Sequence, residues 1–115
     1  MLKRFTVPDC PVEITLMMVG DRWKILIVRE LLTGTKRFGQ LKKGLTGISQ
    51  KVLTDHLRIM AENGLVNRKV YAEVPPRVEY SLTALGQSLT TILDAMGQWG
   101  EEFKKNLWGN NFCGK

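Results

Sequence analysis

Apolar positions repeat at a helical period through the first half of the chain. Residues 22–33 are apolar on most sides, which is typical of a central, buried helix. Residues 50–63 are apolar on one side and polar on the other. Their inward stripe is Leu53, Leu57, Met60 and Ala61. The pattern therefore predicts four helices, over residues 11–18, 22–33, 36–44 and 50–63.

Residues typical of helix ends mark the bounds of these segments. Proline is favoured at the first helical position, so Pro11 puts Cys10 at the N-cap of the first helix. Asp21 and Ser49 precede the second and fourth helices, and side chains of this type accept hydrogen bonds at N-caps. Glycines follow three of the helices, as is common at C-termini: Gly20, Gly34 and Gly64.

The period changes after the fourth helix. Residues 65–73 and 78–82 are rich in Val and Tyr, as strands are. Between them, Val-Pro-Pro-Arg at 74–77 turns the chain, and the turn is stiff because each proline fixes φ and removes a backbone donor. Thr83 then caps a long last helix that extends to about residue 106.

Short helices followed by a hairpin are the element order of a winged helix-turn-helix. The predicted fold is mainly α with a small β-hairpin, and it has extra N- and C-terminal helices. Because 115 residues is the size of one domain, we expect residues 1–115 to form a single winged-helix domain. Its parts are the terminal helices 11–18 and 84–106, the helix-turn-helix 36–64 and the wing 65–82.

Basic residues are concentrated in the middle of the chain. Residues 36–77 contain nine Lys or Arg and three Asp or Glu, and the rest of the chain has eight of each sign. The whole net charge of +6 therefore lies in residues 36–77, within the predicted helix-turn-helix and wing. A basic block beside neutral flanks is typical of a protein that binds a polyanion. The alternative is a solvated face that only aids solubility.

We expect the polar face of the fourth helix to lie in the major groove of double-stranded DNA, where Gln pairs with adenine and Arg or Lys with guanine. Arg77, on the stiff turn, would reach the backbone or the minor groove, whose narrow form attracts Arg. The alternative is that Arg77 pairs with Glu73 or Glu79 across the hairpin. The candidate DNA contacts are Lys36, Arg37, Lys42, Ser49, Gln50, Lys51, Thr54, Arg58 and Arg77.

Two further side chains of the fourth helix have open roles. Asp55 puts an anion on the expected DNA face, where it either accepts from cytosine N4 or pairs with Lys51 or Arg58. His56 is the one histidine of the chain and lies beside the apolar stripe. We expect His56 to pack or to contact phosphate, and not to act as a ligand or base.

Four stretches of the sequence resemble one known family. They are CPVE at 10–13, GDRWKILIVREL at 20–31, RFGQLKKGLTGISQKVLTDHLRIMAENGLVNR at 37–68 and PPRVEYSLTALG at 75–86. Together and in this order they are similar to the HxlR family of bacterial winged-helix transcription regulators. The resemblance implies a sequence-specific DNA-binding protein that acts as a homodimer on near-palindromic promoter sites. It also implies dimerisation through the first and last helices.

The last helix has more apolar side chains than a small domain needs to cover, which is typical of a helix that pairs with another copy. The alternative is that this stripe packs on its own domain. A symmetric dimer would place two recognition helices about one DNA turn apart, ~34–36 Å. The candidate interface residues are Leu89, Ile92, Met96, Trp99 and Phe103.

Cys10 is a candidate redox sensor. The resemblance implies a cysteine at this position that in several family members senses oxidants or electrophiles. A helix N-terminus favours the reactive thiolate, whereas the neighbouring carboxylates of Asp9 and Glu13 disfavour it. The alternative is a small cysteine that only caps the first helix. Cys113 is a candidate to resolve Cys10 across a dimer. Other triggers left open are a small apolar or electrophilic effector, or none.

The sequence has no pattern typical of an active site. It contains no Ser/His/Asp set, paired carboxylates, phosphate-binding glycine loop or metal-ligand spacing. We therefore expect no enzyme, metal or cofactor. With no apolar run of eighteen residues and no signal segment, we expect a cytoplasmic protein without membrane contact. A rival class is a winged helix that binds another protein instead of DNA.

Overall fold

The computed structural model describes residues 7–109, with side chains to residue 106. In this range the chain is mainly helical and has one small antiparallel sheet, which confirms the predicted winged helix-turn-helix. The elements are α1 Pro11–Val19, α2 Arg22–Leu31, β1 Lys36–Arg37, α3 Phe38–Gly44, α4 Gln50–Glu62, β2 Val66–Tyr71, β3 Arg77–Leu82, α5 Ala84–Gln87 and α6 Thr90–Gly109. None of these helices is long and apolar enough to cross a membrane.

The predicted N-caps of α2 and α4 are confirmed. The Asp21 carboxylate accepts from the Trp23 backbone N–H at 2.7 Å, and the Ser49 hydroxyl accepts from the Val52 N–H at 3.1 Å. Cys10 occupies the N-cap position of α1, but its side chain makes no capping hydrogen bond. The starts of these helices thus follow from local side-chain chemistry.

The third helix begins two residues later than predicted. Lys36 and Arg37 form β1, in which Lys36 is paired with Tyr80 and Arg37 with Glu79 of β3. The sheet therefore has three strands in the order β1-β3-β2, and the predicted two-stranded hairpin was incomplete. The Arg37 backbone N–H donates to the Gln40 side-chain oxygen at 2.8 Å, which ends the strand and begins α3.

The predicted last helix is in fact two helices. Thr83 caps α5, which has only four residues. At the break, the Ser88 hydroxyl donates to the Leu85 carbonyl oxygen and the Thr90 hydroxyl donates to that of Gln87. Such local hydrogen bonds compete with the helical ladder, so α6 begins anew at Thr90.

The core lies between α2, α3, α4 and the sheet. The predicted stripe of α4 is confirmed except for Ala61, which is only partly buried. Each large side chain that is fully buried contributes about 1.5–3 kcal/mol by leaving water. The most deeply buried side chains are Ile27, Val28, Leu31, Leu41, Leu45, Leu53, Leu57, Met60 and Leu65. This core fixes α4 with its polar side outward.

Candidate nucleic-acid interface

The outward side of α4 carries most of the predicted base contacts. Gln50, Thr54 and Arg58 are four residues apart, so they lie on one side of the helix, and all three are exposed. Lys51 is exposed beside them, and Ser49 lies at the N-terminal end. The structure therefore brings the five predicted α4 residues together on one solvent-facing surface.

Asp55 is paired with cations of its own helix. Its carboxylate lies 2.8 Å from Lys51 Nζ and 3.9 Å from an Arg58 nitrogen. The hydrogen bond from Lys51 lowers the pKa of Asp55 below its usual value, and the Arg58 charge adds to this. Asp55 is thus paired with Lys51 and Arg58, and its contact with a cytosine stays an untested alternative.

A second basic surface lies on α3. It borders an open depression of about 610 Å³, which is lined by Arg37, Gly39, Gln40, Lys42 and Lys43. Lys36 is not part of it, because successive residues of a strand point to opposite faces. Of the three predicted phosphate contacts, the structure thus groups Arg37 with Lys42 and separates Lys36.

Arg77 lies beside the tip of the wing, where β3 begins after the turn, opposite Tyr71. Its guanidinium is 3.1 Å from the Glu73 carboxylate and 3.8 Å from that of Glu79. It also lies over the Tyr71 ring, 3.9 Å from the ring centre. The side chain is therefore in the paired arrangement that was the alternative, and its contact with DNA stays a prediction.

His56 joins α4 to the beginning of α2. Its Nε2 lies 3.0 Å from Asp21 Oδ1, and its Nδ1 lies 2.9 Å from the Val52 carbonyl oxygen. Desolvation alone would raise the pKa of Asp21, but hydrogen bonds from Trp23 N–H and His56 outweigh it, so this pKa is lowered. The predicted packing role therefore describes His56 better than a phosphate contact.

Two exposed cations of β2 were not predicted as DNA contacts. Arg68 and Lys69 lie on opposite faces of the sheet, because they are adjacent in a strand. Arg68 lines a groove of about 420 Å³ between α4 and the wing, together with Thr54 and Arg58. Strand alternation from the buried Val66 could have placed Arg68 on this inner face.

The predicted dimer stripe is divided between the core and the surface. Leu89 is 9% exposed and belongs to the core, and Ile92 packs against it. By contrast, Met96, Trp99 and Phe103 are 52%, 69% and 44% exposed. Trp99 and Phe103 stack at 5.5 Å between ring centres, which forms one continuous apolar surface on α6. Packing within the chain's own domain thus accounts for Leu89 and Ile92, but not for the exposed apolar side chains further along α6.

The Cys10 thiol is free and exposed. Cys113 lies outside the described residues. Among residues 7–109, no group of three or more His, Cys, Asp or Glu side chains is arranged to hold a metal ion.

A helix-turn-helix with a polar second helix, followed by a small antiparallel wing, defines the winged helix-turn-helix class. The chain belongs to the HxlR-like helix-turn-helix family, whose model matches residues 18–107. It is a transcriptional regulator of the helix-turn-helix type, as are the relatives that resemble it.

Three comparisons show how close these relatives are. YdeP of Bacillus subtilis (strain 168), described as an uncharacterized HTH-type transcriptional regulator, is 42% identical over 98 residues, which cover 85% of this chain and 77% of YdeP. The crystal structure of the HTH-type regulator YtcD has a TM-score of 0.80 and 43% identity, and the match covers 84% of this chain and 98% of that one. The redox regulator HypR in its reduced form has a TM-score of 0.80 and 41% identity, with 85% of this chain and 97% of HypR covered.

Proposed function

We propose that the protein binds double-stranded DNA as a homodimer and regulates transcription from a near-palindromic promoter site. The observation that carries this proposal is the exposed polar side of α4, where Gln50, Thr54 and Arg58 lie in one row. A helix of ordinary diameter fills the major groove, and such side chains reach base edges there. Arg37 and Lys42 of α3 then hold phosphates beside the groove.

The homodimer is supported by the apolar surface of the terminal helices. Met96, Trp99 and Phe103 of α6 are exposed, and so are Val12 and Leu16 of α1. Surfaces of this kind are typical of interfaces with a second copy, and a two-fold axis would match the symmetry of a palindromic site. Half-sites would then be about one DNA turn apart, ~34–36 Å.

Sedimentation velocity tests the dimer. We expect the wild-type protein to sediment as a dimer and Trp99→Glu to sediment as a monomer, because a charge would be buried in the interface. Glu101→Lys on the same helix is a control at an exposed, charged position. A wild-type monomer across the micromolar range would contradict the dimer.

Oxidation of Cys10 is the trigger that we propose. Support comes from the exposed thiol at the start of α1, next to the apolar surface proposed for dimerisation. Similarity to HypR, described as a redox regulator, agrees with it. Diamide takes one electron and one proton from each of two thiols, which form a disulfide while diamide becomes the hydrazine. In a dimer of this chain, the Cys10 thiols of the two copies are candidates for that bond.

A DNA titration tests the regulator and its trigger together. Wild type and Cys10→Ser are titrated onto the DNA upstream of the protein's own gene and onto a scrambled duplex at one salt concentration, before and after diamide. We expect preferential binding to the upstream DNA and a diamide-dependent change in wild type only. Overlaid curves for reduced and oxidised wild type would remove Cys10 as the trigger. Equal binding to both duplexes would favour the rival class, a winged helix that binds a protein.

A further inference from the structure

The groove between α4 and the wing has a cation on each wall. Arg58 stands on the helix side and Arg68 on the β2 side, and Leu57, Ala61 and Tyr80 line the apolar part between them. Glu62 also borders the groove and lies 3.4 Å from an Arg58 nitrogen. The ionised side chains of the groove therefore carry a net charge of +1.

The position of this groove follows from the width of the DNA groove. The major groove is ≈ 12 Å wide, and a helix with its side chains is ≈ 10–12 Å across, so α4 would fill it. Whatever packs beside α4 must then face the phosphate backbone that borders the major groove. On this side of α4 the packed element is the wing, so the backbone would run along the groove between Arg58 and Arg68.

The cations of the wing differ in how they are compensated. Arg77 is 28% exposed and is held by two carboxylates, as described above. Arg58 on the helix side also has two carboxylate neighbours, but it is 59% exposed, so solvent screens its ion pairs more strongly. Lys69 lies on the outer face of the sheet, 5.0 Å from the centre of the Tyr71 ring. Arg68 is exposed on the inner face, and within the part of the chain that the structure describes it has no ion pair. Arg68 is thus the wing cation whose charge is uncompensated and directed at the groove.

We propose that Arg68, with Arg58 on the opposite wall, forms a phosphate clamp for the DNA backbone that passes between α4 and the wing. The proposal rests on the proposed function and names a contact that positions the protein on DNA. A guanidinium donates two parallel hydrogen bonds to a phosphate, which suits a clamp. Such a contact adds affinity equally for all sequences and makes binding depend on salt.

The test is the salt dependence of DNA binding for three variants. The probe is the tightest duplex that the wild-type protein selects from a random pool, with a scrambled duplex beside it. Arg68→Ala removes the clamp, and Arg68→Lys keeps the charge. Lys69→Ala is the matched control, since it removes the same charge one residue away on the opposite face of β2. Fluorescence anisotropy is measured at several salt concentrations from ~50 to ~200 mM.

We expect Arg68→Ala to lower the salt slope by ~0.9 per protomer, or ~1.8 per dimer, which is roughly a 60-fold loss at ~0.1 M salt relative to 1 M. Its preference for the selected over the scrambled duplex should stay unchanged. Arg68→Lys should keep the wild-type slope, and Lys69→Ala should change the slope by less than half as much as Arg68→Ala.

Three results would overturn the clamp. Equal slopes for Arg68→Ala and Lys69→Ala would mean that only the overall charge matters. An unchanged slope with a lost sequence preference would mean that Arg68 reads bases. A wild-type protein that enriches no duplex and binds DNA without salt dependence would overturn the proposed function and the clamp together. The first two results leave the proposed function standing, so the two failures are distinguishable.

Discussion

The contact between His56 and Asp21 joins α4 to the start of α2, 35 residues away in the sequence. We expect His56→Ala to destabilise the fold and to weaken the attachment of α4 to the start of α2. The imidazole is 16% exposed, so the histidine side of the contact is largely shielded from water. Asp21→Asn is the matched partner change, because an Asn side chain still caps a helix but carries no charge.

The size of the effect follows from the geometry. A hydrogen bond to an ionised group contributes about 1.5–3 kcal/mol when it is well shielded. The Asp21 side chain is 43% exposed, so solvent screening reduces the contribution of this contact to about 1 kcal/mol. In a domain of this size, a loss of about 1 kcal/mol lowers Tm by about 4 °C.

A double-mutant cycle measures the contact itself. Urea unfolding of wild type, His56→Ala, Asp21→Asn and the double variant is compared at one protein concentration. We expect a coupling free energy of about 1 kcal/mol between the two positions. A coupling below about 0.3 kcal/mol, which is within the error of additivity, would refute the reasoning.

The acid side of the pH profile gives an independent check. The pKa of Asp21 is lowered in the folded protein, so the carboxylate contributes stability above its ordinary value of 3.8. That contribution is lost as the pH falls through the lower, folded value. The coupling should therefore persist at pH 4–5 and decline only in more acidic solution. A coupling that stays constant down to acid unfolding would contradict the assignment to the ionised carboxylate.

Three more predictions concern single positions. Asp55→Asn should tighten DNA binding several-fold and steepen the salt slope, because it frees Lys51 and removes one of the two carboxylates beside Arg58. A changed base preference without a steeper slope would instead indicate a cytosine contact. Arg77→Ala should leave the salt slope almost unchanged if its two carboxylates compensate its charge, whereas a slope lowered by ~1.8 per dimer would confirm the predicted DNA contact of Arg77. Gly86→Ala should lower Tm strongly in thermal denaturation, because the added Cβ would collide with the Leu65 carbonyl oxygen. An unchanged Tm would show that the backbone at Leu65 or Gly86 shifts to make room for the Cβ.

Features that depend on local chemistry were predictable from the sequence. The N-caps Asp21 and Ser49 and the buried stripe through Leu53 and Leu57 follow from side chains within one or two helical turns. The exposed polar side of α4 follows from the same periodicity. These features define the exposed surface of α4 that is the candidate DNA interface, so the sequence predicted much of the candidate site.

Features that depend on distant partners were not predictable in the same way. Lys36 and Arg37 have no strand-like pattern of their own, and they form β1 only because Tyr80 and Glu79 of β3 offer a free edge. The open choice at Arg77 is of another kind, because Glu73 and Glu79 are near in the sequence and the hairpin conformation decides whether they reach its guanidinium. Long-range pairing therefore explains most of what the local pattern missed.

If the protein binds DNA as proposed, the strand order β1-β3-β2 also limits the spacing of the bases contacted within a half-site. β1 runs directly into α3, and it pairs with β3, which is a strand of the wing. The helix-turn-helix and the wing are therefore joined through the sheet as well as along the chain. A protein whose elements are joined in this way holds α4 and the wing at one fixed separation. One inserted base pair moves the two contact points apart by about 3.4 Å and turns them by roughly 34–36° around the DNA axis. Single-base insertions inside a half-site should therefore abolish recognition even when every contacted base is kept.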